Sequence, residues 1–285
     1  MNSSSNPVPL SDFTVDFEEL QVYLHYSNNA ANIIGSGMGT WQQCTFDLMQ
    51  RYDFLYNAVM SISASHLART MCRDNASPSA YTNLAITHLS TAATNATGLL
   101  PQMSVDGYEP VYIASIIACL ATLARGPSQG DLFVVTSDGK APWLTLLGAV
   151  RSVLQNKPAE SAGFSCRIPW GDPGAGIGAR GTFGTAAIYE DELNLTCASY
   201  RMAQRRDPRA TSENCRFMIV IGWGYRLSDV FIKGLEGRDG PALLILRHFA
   251  LIIGLLETEY WWLEGWSSHL LHEINSLMEP RDGDM

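Results

Sequence analysis

The chain has 285 residues, of which 46% are hydrophobic and only 16% charged, and it carries a net charge of −9. So apolar a composition excludes disorder on a large scale, and the length suits one large domain or two closely packed lobes. It also argues against autonomous nucleic-acid binding, which draws its affinity from a basic surface. The densest basic cluster (Arg201, Arg205, Arg206 and Arg209) reads as a solvated helix end.

Residues 1–15 are polar and read as a disordered lead-in. From Asp16 helical punctuation recurs. Phe17, Leu20, Tyr23 and Leu24 form an i, i+3, i+4 stripe that runs towards Ile33 and stops at Gly35. A second helix is predicted from Trp41 to about Arg51. A third opens at Asp53, with Leu55, Val59, Ile62, Ser63, His66 and Leu67 on one face. Ser77 and Pro78 are a strong start signal for a fourth, carrying Tyr81, Leu84, Ala85, His88 and Leu89.

Tyr108 to Ala124 is apolar on all sides, the pattern of a fully buried helix. Residues 126–140 read as a loop in which Leu132–Val135 is a short strand or an extended flap. Pro142 and Trp143 start a further helix, with Leu144, Leu147, Val150 and Leu154 inward. Residues 156–184 form an irregular loop, and helical pattern returns over 185–206, 211–235 and 241–278, the last divisible near Gly265. The expected fold is all-α: one domain over residues 16–278, followed by a tail, 279–285. The run from Ala242 to Leu256 is too short for a bilayer and contains Arg247 and His248, so no membrane span is expected.

No motif carries a recognisable chemistry. The cysteines Cys44, Cys72, Cys119, Cys166, Cys197 and Cys215 contain no C-x-x-C pair and read as reduced core thiols of an intracellular protein, cytoplasmic or nuclear. Gly176, Gly178 and Gly181 match G-x-G-x-x-G, but the proline-rich residues before them cannot form the strand that a nucleotide site needs. His269 and His272 lack a third metal ligand at fixed spacing. Glu190, Asp191 and Glu192 are adjacent and so point in three directions on a helix, unlike a magnesium-binding carboxylate motif. No metal or cofactor is expected.

Five segments carry a family resemblance. Pro241 to Ile253, then Glu259 to Trp266 (a W-W-L-E-G-W stretch) and His269 to Ile274 resemble the closing helices of fungal zinc-cluster transcription regulators of the sterol-uptake-control type. Phe54 to Ala68, with its S-A-x-H-L-A ending, and Trp143 to Leu154 resemble two earlier helices of the same domain. The resemblance implies an all-α regulatory domain with an internal hydrophobic pocket for a sterol- or terpenoid-like molecule. It also implies action through a homodimer or a DNA-binding partner, since residues before Asp16 contain neither cysteine nor a basic side chain and no direct nucleic-acid contact is expected. A second possibility reuses the same pocket as a metal-independent cyclase or cycloaddition enzyme of secondary metabolism, chemistry that needs shape and proximity rather than a nucleophile. Under either reading the pocket candidates are His66, Tyr112, Trp143, His248 and Trp262, chosen for polarity or ring area on apolar helices.

Overall fold

The Asp16 carboxylate accepts hydrogen bonds from the backbone N–H groups of Glu18 (2.9 Å) and Glu19 (3.4 Å), satisfying orphan donors at the start of α1 (Phe17–Ile34). In the computed structural model residues 16–34, 39–72, 79–99, 108–155, 185–204, 216 and 218–279 are described. The lead-in, Ser77, Pro78, the 156–184 stretch with its glycine motif, and 280–285 lie outside them.

The elements that follow are α2 (Gly39–Met49), α3 (Asp53–Cys72), α4 (Ser79–Leu99), α5 (Tyr108–Leu123), α6 (Pro142–Gln155), α7 (Thr185–Gln204), α8 (Met218–Arg226), α9 (Asp229–Glu236), α10 (Gly240–Leu256) and α11 (Trp266–Met278). Between α10 and α11 lies a 3-10 turn, Trp261–Leu263. The fold is all-α. Its extended structure among the described residues is a two-residue ribbon, β1 (Val135–Thr136) against β2 (Gly139–Lys140), so the Leu132–Val135 segment is a buried loop leading into a minimal hairpin.

α3 and α5 are the central pair. α3 packs on α1, α4 and α5, and α5 on α6, while α10 lies against α7 and α11. Small hydroxyl residues let α3 approach its neighbours. Ser63 Oγ donates to Val22 O of α1 and Ser61 Oγ to Ala85 O of α4, both at 2.8 Å and both buried. These bonds satisfy buried hydroxyls that would otherwise destabilise the helix contact.

On α1 the buried side is Val22, Tyr26, Ile33 and Ile34, while Phe17, Leu20 and Leu24 of the predicted stripe are exposed. Both sides of this helix are apolar, so period alone could not choose between them. α10 shows the same ambiguity. Its inner face is Leu243, Leu246, Phe249, Ile253 and Leu256, and its outer face exposes Leu244, His248, Leu251 and Leu255.

The helix predicted to run from 211 to 235 is broken in two. Ser228 caps α9, its Oγ accepting from Phe231 N at 3.2 Å, and Asp229 follows in the first turn. Gly224, one turn earlier on α8, lies against the Trp143 ring: a Cβ there would come within 2.6 Å of Cη2. No larger residue fits that contact without moving a buried indole.

Candidate functional site

Trp143, Trp223, Trp261 and Trp266 act as hydrogen-bond donors through their indole N–H groups. Trp266 Nε1 donates to Leu123 O (3.0 Å) at the C-terminal end of α5, and Trp261 Nε1 to Ile33 O (2.8 Å) at the end of α1. Helix C-termini leave carbonyls without intrahelical partners, and the two indoles donate to such carbonyls from 143 and 228 residues away, Leu123 O accepting from Gly126 N as well. Gly265, at φ +89°, makes the left-handed turn that separates the 3-10 turn from α11. Trp143 Nε1 donates to Phe133 O at 2.7 Å. That bond, with ring contacts from Phe133 to Trp143, Phe249 and Trp266 at 5.1, 5.8 and 5.1 Å, holds Phe133 at φ +64°. Such a conformation is unfavourable for a bulky side chain and persists only where its surroundings fix it.

Of the five residues proposed from sequence, Trp143 has this role. Tyr112, Trp143 and Trp262 are each 1% exposed and belong to the main core. His248 points outward on α10, its Nδ1 bonded to Leu244 O at 2.7 Å, so it lies outside the core that this apolar helix joins. His66 is half-buried and lies in a distinct cluster. Its Nδ1 is 2.7 Å from His25 Nε2, the rings stack at 5.0 Å, and Trp261 meets it edge-on at 4.8 Å.

Burial first, then the neighbouring His25 and Arg69, lowers the His66 pKa to about 4, and burial lowers that of His25 as well. The unfolded chain therefore binds more protons than the folded one between pH 6.5 and 4, and the stability present above 6.5 is lost as pH falls through that window. We expect a loss of about 1–2 kcal/mol from this pair, discounted for its partial exposure. Urea denaturation at pH 7 and 4.5 reads it as the difference between wild type and His66→Gln. An equal loss in both proteins sinks the assignment.

A cleft of about 550 Å3 opens between α3, α4 and the end of α5. Its apolar lining is Ala68, Ala85, Ile86, Leu89, Ala121 and Ala124; Ser61, Ser65 and Thr82 add hydroxyls, and Arg69, Arg125 and Glu264 bring charge. Arg69 and Glu264 form an ion pair. A second cleft, about 450 Å3, lies under the 126–140 loop and is more polar, with Asp131, Asp138 and Lys140 beside Trp143 and Trp266. Of the five sequence candidates only Trp143 lines either cleft, so the structure does not gather them into one pocket. The first cleft was missed because its walls are small residues. The spacing Ser61, Ser65, Ala68 on α3 was the available signal, a stripe of small side chains at helical period.

A family model for the fungal specific transcription factor domain matches residues 20–170, just over half of the chain. The chain belongs to the fungal specific transcription factor domain family. All but the first three residues of α1, then α2 to α6, and with them nearly all of the 550 Å3 cleft, fall within the matched segment; of the cleft lining, Glu264 alone comes from beyond it. No curated protein matches the chain. Membership brings a regulatory role. Among the described residues no three His, Cys, Asp or Glu side chains are grouped to hold a metal ion, and no single helix is long and apolar enough to cross a membrane. His269 Nε2 is bonded instead to Asp131 O at 3.0 Å. Cys44 and Cys119 are partly or wholly buried free thiols, as expected of core cysteines, whereas Cys197 is exposed.

Proposed function

We propose that the chain is an intracellular regulatory module that responds to a hydrophobic small molecule of sterol or terpenoid size, bound in the cleft between α3, α4 and α5. The observation that carries this reading is the cleft itself. Its volume of about 550 Å3 falls in the range of small-molecule sites, its floor is apolar, and a few polar groups stand at its rim. The resemblance of the closing helices to sterol-uptake regulators supports the ligand class. It acts together with a second copy or a DNA-binding partner.

Glu264 gives ligand occupancy a route to the rest of the molecule. It sits on the cleft rim and directly follows the 3-10 turn whose Trp261 caps α1, and two residues before Trp266, which caps α5. A ligand that binds better to one arrangement of this segment shifts its population, which is all that a regulatory response requires.

The test is binding of cholesterol and farnesol to the purified protein, measured by calorimetry, against Ile86→Trp. Ile86 is 46% exposed, so the larger ring fills the cleft from its rim without entering the core. The expected result is binding to wild type and a Kd raised at least about tenfold, 1.4 kcal/mol, in the variant. Equal binding by both proteins, or no binding by either of these probes or by a carboxylic acid of the same size, overturns the reading.

A further inference from the structure

We propose that the preferred ligand of this cleft is an amphipathic carboxylic acid, with its carboxylate held between Arg69 and Arg125 and its tail on the alanine-lined floor. This rests on the reading of the cleft as the ligand site and adds the chemistry of the head group. Arginine provides 19 basic residues with lysine in a chain of net charge −9, yet two guanidiniums line this one cleft. Only one of them is neutralised. Arg69 pairs with Glu264, whereas Arg125 has no carboxylate within ion-pair distance among the described residues. The cleft thus already holds one carboxylate against one guanidinium and leaves the second open to another.

The helix ends could account for each arginine separately. Arg69 lies in the last turn of α3 and Arg125 just beyond α5, where a cation offsets the negative end of the helix dipole. That effect is screened by solvent and fades within a turn. A guanidinium–carboxylate contact is planar, bidentate and roughly twice as strong as a neutral hydrogen bond, so an acid at the rim outweighs the dipole it displaces. The flat fork also favours a carboxylate over a hydroxyl, which offers no charge. Ala121 and Ala124 continue from Arg125 into the cleft, and Ala68 lies beside Arg69, so an apolar tail extends inward from the same point.

Such a ligand competes with Glu264 for Arg69. Binding therefore loosens the contact between α3 and the segment that joins the 3-10 turn to α11, coupling head-group recognition to the part of the fold that spans both ends of the chain.

Three probes with one tail separate the terms: farnesoic acid, methyl farnesoate and farnesol, titrated calorimetrically at pH 7.5 into wild type, Arg125→Gln and Glu264→Gln. The acid is expected to bind wild type at least about tenfold more tightly than the ester or the alcohol. Arg125→Gln, a substitution at an exposed position, is expected to remove most of that preference, and Glu264→Gln to strengthen acid binding. Equal affinities for acid and ester, or a preference that survives Arg125→Gln, overturns the head-group assignment while leaving the cleft as the ligand site. Absence of binding by all three probes and by cholesterol overturns both.

Discussion

Replacing Trp266 by alanine is expected to lower the unfolding free energy by about 3–5 kcal/mol, the range for truncating a buried aromatic ring. The residue is 5% exposed, and its ring meets Phe133 edge-on at 5.1 Å. Part of the loss is cavity and part is the indole hydrogen bond to Leu123 O at the end of α5, a carbonyl that keeps its bond from Gly126 N. Trp266→Phe separates them, since most of the apolar volume remains while the N–H is lost. It should cost about 0.5–1.5 kcal/mol for the hydrogen bond itself, since Leu123 O still accepts from Gly126 N at 3.0 Å. Urea denaturation of the two variants checks both figures. If phenylalanine is as damaging as alanine, packing and not the carbonyl bond needs revision: the ring would then depend on the full indole shape against Phe133.

That bond also shows what local sequence cannot supply for the tryptophans. In sequence, Trp261, Trp262 and Trp266 show ring area at helical spacing, and ring area suits a ligand as well as a core. What decides between them is the fate of each indole N–H, set by a carbonyl 143 residues away for Trp266 and 228 for Trp261. No local pattern contains that information. Helix existence is different, because it rests on local chemistry. Asp16, Asp53, Pro142 and Gly265 mark ends that the structure keeps, through caps, proline φ and a left-handed turn.

Faces were less legible than ends. α1 and α10 are apolar on both sides, so the buried side is chosen by what they meet. Ser63 and His66 of α3 select Val22 and His25 on α1. On α10 the adjacent pair Arg247 and His248 marks the outer side, both being exposed. The cleft was least legible of all. It forms where alanines of three helices meet, and an alanine has no sequence signature as a wall.

The acidic triplet on α7 yields the second large effect. Glu190 and Asp191 are exposed, whereas Glu192 is fully buried, its Oε1 accepting from Ser228 N at 2.9 Å. The three positions do point in different directions, and the inward one serves the break between α8 and α9. A carboxylate at that point satisfies a backbone donor at the N-cap of α9 and faces the positive end of its dipole. Glu192→Ala is expected to cost about 3–5 kcal/mol, since it leaves a cavity and strips a buried polar group of its partner. Glu192→Gln is the more informative change. Its amide oxygen can still accept from Ser228, so only the charge is removed, and the outcome decides which of two opposed terms is larger. A buried carboxylate carries a desolvation penalty of several kcal/mol, while its charge-assisted bond is worth roughly 1.5–3 kcal/mol. The dipole of the eight-residue α9 adds at most about 2 kcal/mol in a partly buried setting. With both favourable terms aimed at one oxygen, they nearly match the penalty, and glutamine should fall within about 1 kcal/mol of wild type. Chemical denaturation that places Glu192→Gln as low as Glu192→Ala would show instead that the charge itself holds the α8–α9 break in place.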